Sequence, residues 1–159
     1  MRKLVKRLAV FVLAAVMLAA MPACSSASEA EYTQKVEEVV TRLSEASSAF
    51  YSDVETLFRD LTDENRTKVM GDLDEMEAVF KEIAALEAPK KYEEVQNCLS
   101  QSADSALKGI AVYRTELGAV TADTVDDAFL ERVAEGDGYL QDAQDKMREA
   151  AELVGSLDS

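Results

Sequence analysis

The chain has 159 residues, a formal charge of −14, no histidine and no tryptophan. A balance this acidic argues against nucleic-acid binding and against a polybasic attraction to anionic lipid. Without histidine, the di-iron bundle pattern and C-x-x-C-H haem attachment are excluded, and its two cysteines are too few for a disulfide framework.

Four of the first seven residues are basic, Arg2, Lys3, Lys6 and Arg7, and an unbroken apolar run covers residues 8–21. Fourteen residues fall short of the roughly 20 a membrane-spanning helix needs. A charged start, a short apolar stretch and small residues behind it predict a secretory signal peptide over residues 1–23; a retained transmembrane anchor is the rival reading. Next comes Met21-Pro22-Ala23-Cys24. This segment resembles the lipobox of bacterial lipoproteins, in which Ala23 and Cys24 fit the pattern, Met21 stands where Leu is common and Pro22 is atypical. The resemblance implies a diacylglycerol thioether on Cys24, cleavage just before it, and attachment to the membrane by lipid, with no other cofactor. The alternative is cleavage after Ala27 within Ser25-Ser26-Ala27, which would release a soluble secreted protein.

From Cys24 onward the chain keeps 13 bases and 31 acids, a balance of −18, and Cys98 is its one other thiol. The acid is uneven: residues 28–61 and 62–88 each carry 8 acids and 3 bases, residues 89–122 carry 4 of each, and residues 123–159 carry 11 acids and 3 bases. The neutral third segment reads as the most buried helix, or as the face that meets something else; the first is the simpler.

After the short spacer of residues 24–28, apolar residues recur at Tyr32, Val36, Val39, Leu43, Ala46, Phe50, Val54, Leu57 and Leu61. Gaps of three and four make one stripe of a long helix, introduced by a capping box of Ser28 and Glu31. Thr62 is the N-cap of a second helix, with stripe Val69, Leu73, Met76, Phe80, Ile83 and Leu86, ended by Pro89. The third stripe is Tyr92, Val95, Leu99, Ser102, Ala106, Ile110, Tyr113, Leu117 and Val120, followed by a loop near residues 118–123. Thr124 and Asp127 form a weaker capping box for the fourth stripe: Val125, Phe129, Val133, Gly136, Leu140, Ala143, Met147, Ala150 and Val154. That stripe keeps phase through Gly136-Asp137-Gly138, which predicts one helix, bent or weakened there, closing at Gly155 as the C′ residue. A faint likeness links Tyr32–Phe50 with Tyr92–Ile110. Four amphipathic helices with tight connections predict an all-α, antiparallel up-down four-helix bundle over residues 29–155.

The chemistry-bearing residues are few. Asp123/Asp126/Asp127 and Glu135/Asp137 lack the EF-hand spacing and read as helix-terminal acids. The run Asp72-Leu73-Asp74-Glu75-Met76-Glu77 reads as a solvated face. Cys98 has no base within a turn and reads as a small core residue. No nucleophile elbow, phosphate loop or H-E-x-x-H is present, so no catalytic or metal residues are predicted and an enzyme is not expected. In antiparallel register Ala46, Met76, Ser102, Ala106, Gly136 and Gly138 fall at one level, which means close helix approach or a small apolar pocket. Phe58, Leu107 and Leu130 lie just outside the stripes and form either an interaction face or a broader core.

Signal, lipobox, short spacer and acidic bundle together resemble small helical lipoproteins of bacterial cell surfaces. The resemblance implies an extracytoplasmic, lipid-anchored, non-enzymatic protein that binds another envelope protein or the cell wall. A small-ligand carrier and a self-associating structural element are the alternatives.

Overall fold

The structure, a computed structural model, describes residues 27–157. It is an antiparallel four-helix bundle: α1 (Ala27–Arg59), α2 (Asp63–Ala85), α3 (Glu93–Gly118) and α4 (Asp127–Leu157), with a 3₁₀ turn, Lys90–Tyr92, leading into α3. No strand occurs among the described residues, and none of their helices is long and apolar enough to cross a membrane. The predicted signal peptide, Cys24 and most of the spacer lie outside the described residues.

The stripes become the core. From Tyr32 to Leu57 every stripe residue of α1 is buried, as are Val69 to Ile83 of α2, Tyr92 to Val120 around α3 and Phe129 to Val154 of α4. The end residues Leu61, Leu86 and Val125 are half-buried. Successive helices pack side by side, α3 and α4 most closely of all. Packed between α2 and α4, α3 has the largest buried share of the four; the neutral balance of residues 89–122 depends on Lys90 and Lys91, which precede the helix. Ring pairs tie helices not joined by the chain's short connections: Tyr32 stacks on Tyr92 at 5.3 Å, Phe50 meets Tyr113 at 5.6 Å, and Phe58 meets Phe129 edge-on at 6.1 Å. The likeness between the starts of the first and third stripes thus coincides with a physical contact of Tyr32 with Tyr92.

Connections follow local chemistry. Thr62 is extended (φ −104°, ψ 156°) and its Oγ1 accepts from the Asn65 amide at 3.2 Å, as an N-cap should. The Asn65 side chain donates to the Asp60 carbonyl at 2.8 Å, closing the α1–α2 turn. Leu86 turns extended (ψ 132°) and ends α2, and Pro89 opens the 3₁₀ turn before α3.

Three local expectations are corrected. First, α1 already begins at Ala27, so Ser28 lies inside its first turn rather than flanking it, and Glu31 pairs with Lys35 at 2.8 Å. The N-cap of α4 is Asp126, whose Oδ1 accepts from the Phe129 amide at 2.7 Å; Thr124 instead accepts from the Thr121 amide at 2.7 Å and closes the loop. The third is Gly155, which is not a C′ residue: α4 continues to Leu157, and no glycine among the described residues has positive φ. As its phase predicts, α4 runs as one helix through Gly136-Asp137-Gly138, because the packing of the flanking stripe outweighs the glycine propensity cost.

Candidate functional site

Most of the predicted mid-bundle layer is buried, but it divides in two. Ala46 on α1 and Met76 on α2 are core residues. On the other side, small residues bring α3 and α4 together. The Ser102 hydroxyl donates to the Ala143 carbonyl at 2.8 Å, and Ala106 is fully buried. A Cβ placed on Gly136 would sit 3.3 Å from Val112 Cγ1, and one on Gly109 would sit 3.1 Å from the Gly136 carbonyl oxygen. Ser102 thus lies level with Ala143 and Gly109 with Gly136, about two turns away, so Ser102 and Gly136 do not share the predicted level; close approach takes the space between α3 and α4 at both places. Gly138 is exposed with nothing within 4 Å of its would-be Cβ, so it does not line the layer. Next to it Asp137 accepts the buried Tyr113 hydroxyl; burial first, then the Asp137 charge, pushes that phenol far above its ordinary range.

The three residues outside the stripes separate as well. Phe58 is buried against Phe129 and belongs to the core. Leu107 is half-buried against the core, while Leu130, in the first turn of α4, is 38% exposed. Leu157, at the far end of the same helix, is 36% exposed.

Two grooves lie at the pole where α1 begins. A groove of about 530 Å³ runs between the first turns of α1 and the α2–α3 connection, with Glu31, Tyr32, Lys35, Leu86 and Pro89 along it. Tyr32 donates from its hydroxyl to Gln96 Oε1 at 3.0 Å, and Gln96 Nε2 donates to the Ile83 carbonyl at 2.8 Å, so the groove wall is braced across three helices. Burial, followed by the neighbouring Tyr92, raises the Tyr32 phenol well above its ordinary value. Tyr92 itself is buried and its hydroxyl has no hydrogen-bond partner. On the other side of the 3₁₀ turn a second groove, about 290 Å³, lies between the start of α3 and the end of α4, lined by Lys90, Lys91, Leu153 and Leu157 among others.

The acidic run of α2 is only partly a solvated face. Arg114 of α3 bridges Asp74 and Glu77, and Arg42 of α1 bridges Glu75 and Glu82. Asp72 is half-buried, and its Oδ2 is out of contact with solvent and without a hydrogen-bond partner. Burial, then the carboxylate of Asp53 on α1, raises its pKa to about 6. Asp53 is missed by periodicity because the pair forms between helices. Cys98 is buried; desolvation, then Glu149, raises its thiol pKa, the opposite of what activates a nucleophile. No group of three or more His, Cys, Asp or Glu side chains is arranged to hold a metal among the described residues; Asp126 is engaged as a cap and Asp137 by Tyr113.

A family model described as a domain of unknown function, DUF7018, matches residues 26–144. The chain belongs to that family. The DUF7018 match takes in α1 to α3 and more than half of α4, including the larger groove, the Asp53–Asp72 pair and the Gly109–Gly136 contact, while Cys24 precedes it. No curated protein and no solved structure matches the chain.

Proposed function

We propose that this DUF7018 protein is an exported, non-enzymatic cell-envelope protein, held to the membrane by lipid on Cys24, whose bundle binds another envelope protein or the cell wall. The observation that carries this reading is the entry point of the chain. Helix α1 starts at Ala27, three residues after Cys24. Three residues reach at most about 11 Å. An acylated Cys24 therefore keeps the α1-start pole at the membrane, while α1, roughly 50 Å long at 1.5 Å per residue, carries the other pole outward. At that outward pole Leu130 is exposed beside Asp126, Asp127 and Glu131, which suits a partner that offers an apolar contact framed by basic groups.

Two measurements on the protein in its own host test the two halves of this reading. Mass spectrometry of the mature N-terminal peptide is expected to find Cys24 as the first residue with a diacylglycerol thioether; an unmodified peptide starting at Ser28 would overturn the anchoring. A photo-crosslinking residue at Leu130 is expected to give a discrete adduct that the same residue at Asn97, exposed near the opposite pole, does not give. Equal patterns at both sites would overturn the outward pole as the binding face.

A further inference from the structure

The described residues include 13 Lys and Arg side chains. Ten of them, Lys35, Arg42, Arg59, Arg66, Lys68, Lys81, Arg114, Arg132, Lys146 and Arg148, form ion pairs with carboxylates. That is expected on a chain with so large an excess of acid. Lys90, Lys91 and Lys108 are the exceptions: each is exposed, with no described carboxylate within 4 Å. Two of these three are adjacent, on the 3₁₀ turn at the tip of the α2–α3 connection. Lys91 lies over the Tyr92 ring, its ammonium 5.4 Å from the centroid.

That tip is at the pole where the chain enters the bundle, since Ser28 and Pro89 line the same groove. Beside the lysines, Leu157 exposes an apolar side chain in the smaller groove that Lys90 and Lys91 also line. From these placements we infer that the Lys90–Lys91 turn is a second membrane contact, docking on the phosphates of anionic lipid headgroups and standing the anchored bundle upright. The inference rests on the lipid-anchor reading above.

Charge decides both the orientation and the limits of this contact. A body with 31 acids against 13 bases is repelled by an anionic surface, and the repulsion is least where cations stand unpaired. Glu87, Glu93 and Glu94 flank the turn and offset part of its attraction. Screening limits the whole effect to about 8 Å at physiological salt. The contact is thus too weak to recruit a soluble protein, yet sufficient to orient one whose tether already holds the turn within reach. Two lysines at an anionic surface shift the docked population roughly thirtyfold.

The chain has no tryptophan, so a single introduced one reports its own position. The lipidated protein, purified from membranes, is reconstituted into vesicles of phosphatidylcholine with or without phosphatidylglycerol, with bromines on the acyl chains as quencher. Leu157→Trp is expected to be quenched in the anionic vesicles, and Ala122→Trp, on the exposed loop at the opposite pole, to stay unquenched in both. Adding Lys90→Gln and Lys91→Gln to Leu157→Trp is expected to lower the docked-to-undocked ratio about thirtyfold. Quenching of Leu157→Trp that is absent, or indifferent to both headgroup charge and the lysine substitutions, would overturn the contact. Flotation of the same samples keeps the two readings apart. Protein that floats without quenching sinks only the headgroup contact, whereas protein that fails to float sinks the anchor and the contact together.

Discussion

Gly109 of α3 faces the backbone of Gly136 on α4 so closely that a Cβ on Gly109 would lie 3.1 Å from the Gly136 carbonyl oxygen and 3.0 Å from Leu140 Cδ2. The Leu140 side chain can turn aside, but a helix carbonyl cannot, so α4 itself would have to shift. Gly109→Ala is expected to lower stability by about 1–2 kcal/mol, because overpacking outweighs the roughly 1 kcal/mol of helix propensity gained. Gly138→Ala, two residues along α4 from Gly136 but exposed and with nothing within 4 Å, should instead raise stability by about 0.5–1 kcal/mol. Urea unfolding of the two variants checks both signs. Equal stabilisation by both would mean that α3 and α4 are not in close contact.

The same experiment tests the helix starts. Thr62→Ala and Asp126→Ala each remove an acceptor from an otherwise unpaired first-turn amide, that of Asn65 and that of Phe129. Each is expected to cost about 1 kcal/mol. If Asp126→Ala proves neutral while Asp127→Ala is costly, α4 starts at Ala128, with Asp127 as its cap.

These caps also mark where the sequence stopped being legible. The stripes were readable because burial along a helix repeats every three or four residues, and nearly every stripe residue, from Tyr32 to Val154, lies in the core. The helix ends were not: Thr121, Thr124 and Asp126, for example, offer several side chains able to cap within a few residues, and tertiary packing selects among them. Relations between helices were the least legible. Periodicity puts Asp72 beside Leu73 at the edge of the stripe, but cannot say that Asp53 faces it. It marks Phe58 as outside its stripe, but cannot supply Phe129 as its cover. Nor can it tell that Lys90 and Lys91 go unpaired where ten other cations find carboxylates. The register between α3 and α4 is likewise absent from any single stripe: the sequence places Ser102 level with Gly136, whereas Ser102 bonds Ala143 and Gly136 meets Gly109, so the two lie about two turns apart.

Tyr32 and Tyr92 stack on each other yet differ in their hydroxyls, and the difference predicts opposite outcomes. Tyr32 donates to Gln96, whose amide in turn holds the Ile83 carbonyl. Tyr32→Phe is expected to cost about 1 kcal/mol, since it strips a part-buried acceptor of its partner. The Tyr92 hydroxyl is buried without a partner, so Tyr92→Phe removes a desolvated polar group and keeps the ring. It should be neutral or stabilising by up to about 1 kcal/mol. Thermal unfolding of the two variants side by side decides the matter; a loss for Tyr92→Phe equal to that for Tyr32→Phe would mean the Tyr92 hydroxyl is satisfied in solution.

Asp72 gives the bundle a specific dependence on pH. Its pKa, raised by burial and then by Asp53 from 3.8 to about 6, lies above the value it takes in the unfolded chain. Between those two values the folded protein holds a proton that the unfolded one has lost, so stability attributable to this group falls as pH rises from about 4 to about 6. Above that window the folded state carries a charged, half-desolvated carboxylate beside a second one. Asp72→Asn keeps the shape and removes the charge. It should be more stable than the parent at pH 7.5, by about 1 kcal/mol once solvent screening of a half-exposed group is allowed for, and the gain should vanish at pH 3.5. Urea unfolding of parent and variant at pH 7.5, 5 and 3.5 isolates the contribution of Asp72, because every other titrating group is common to both chains. A gain that persisted unchanged at pH 3.5 would trace to the amide's hydrogen bonding rather than to the lost charge, and a loss at pH 7.5 would mean that the Asp72 carboxylate is well solvated in the folded protein.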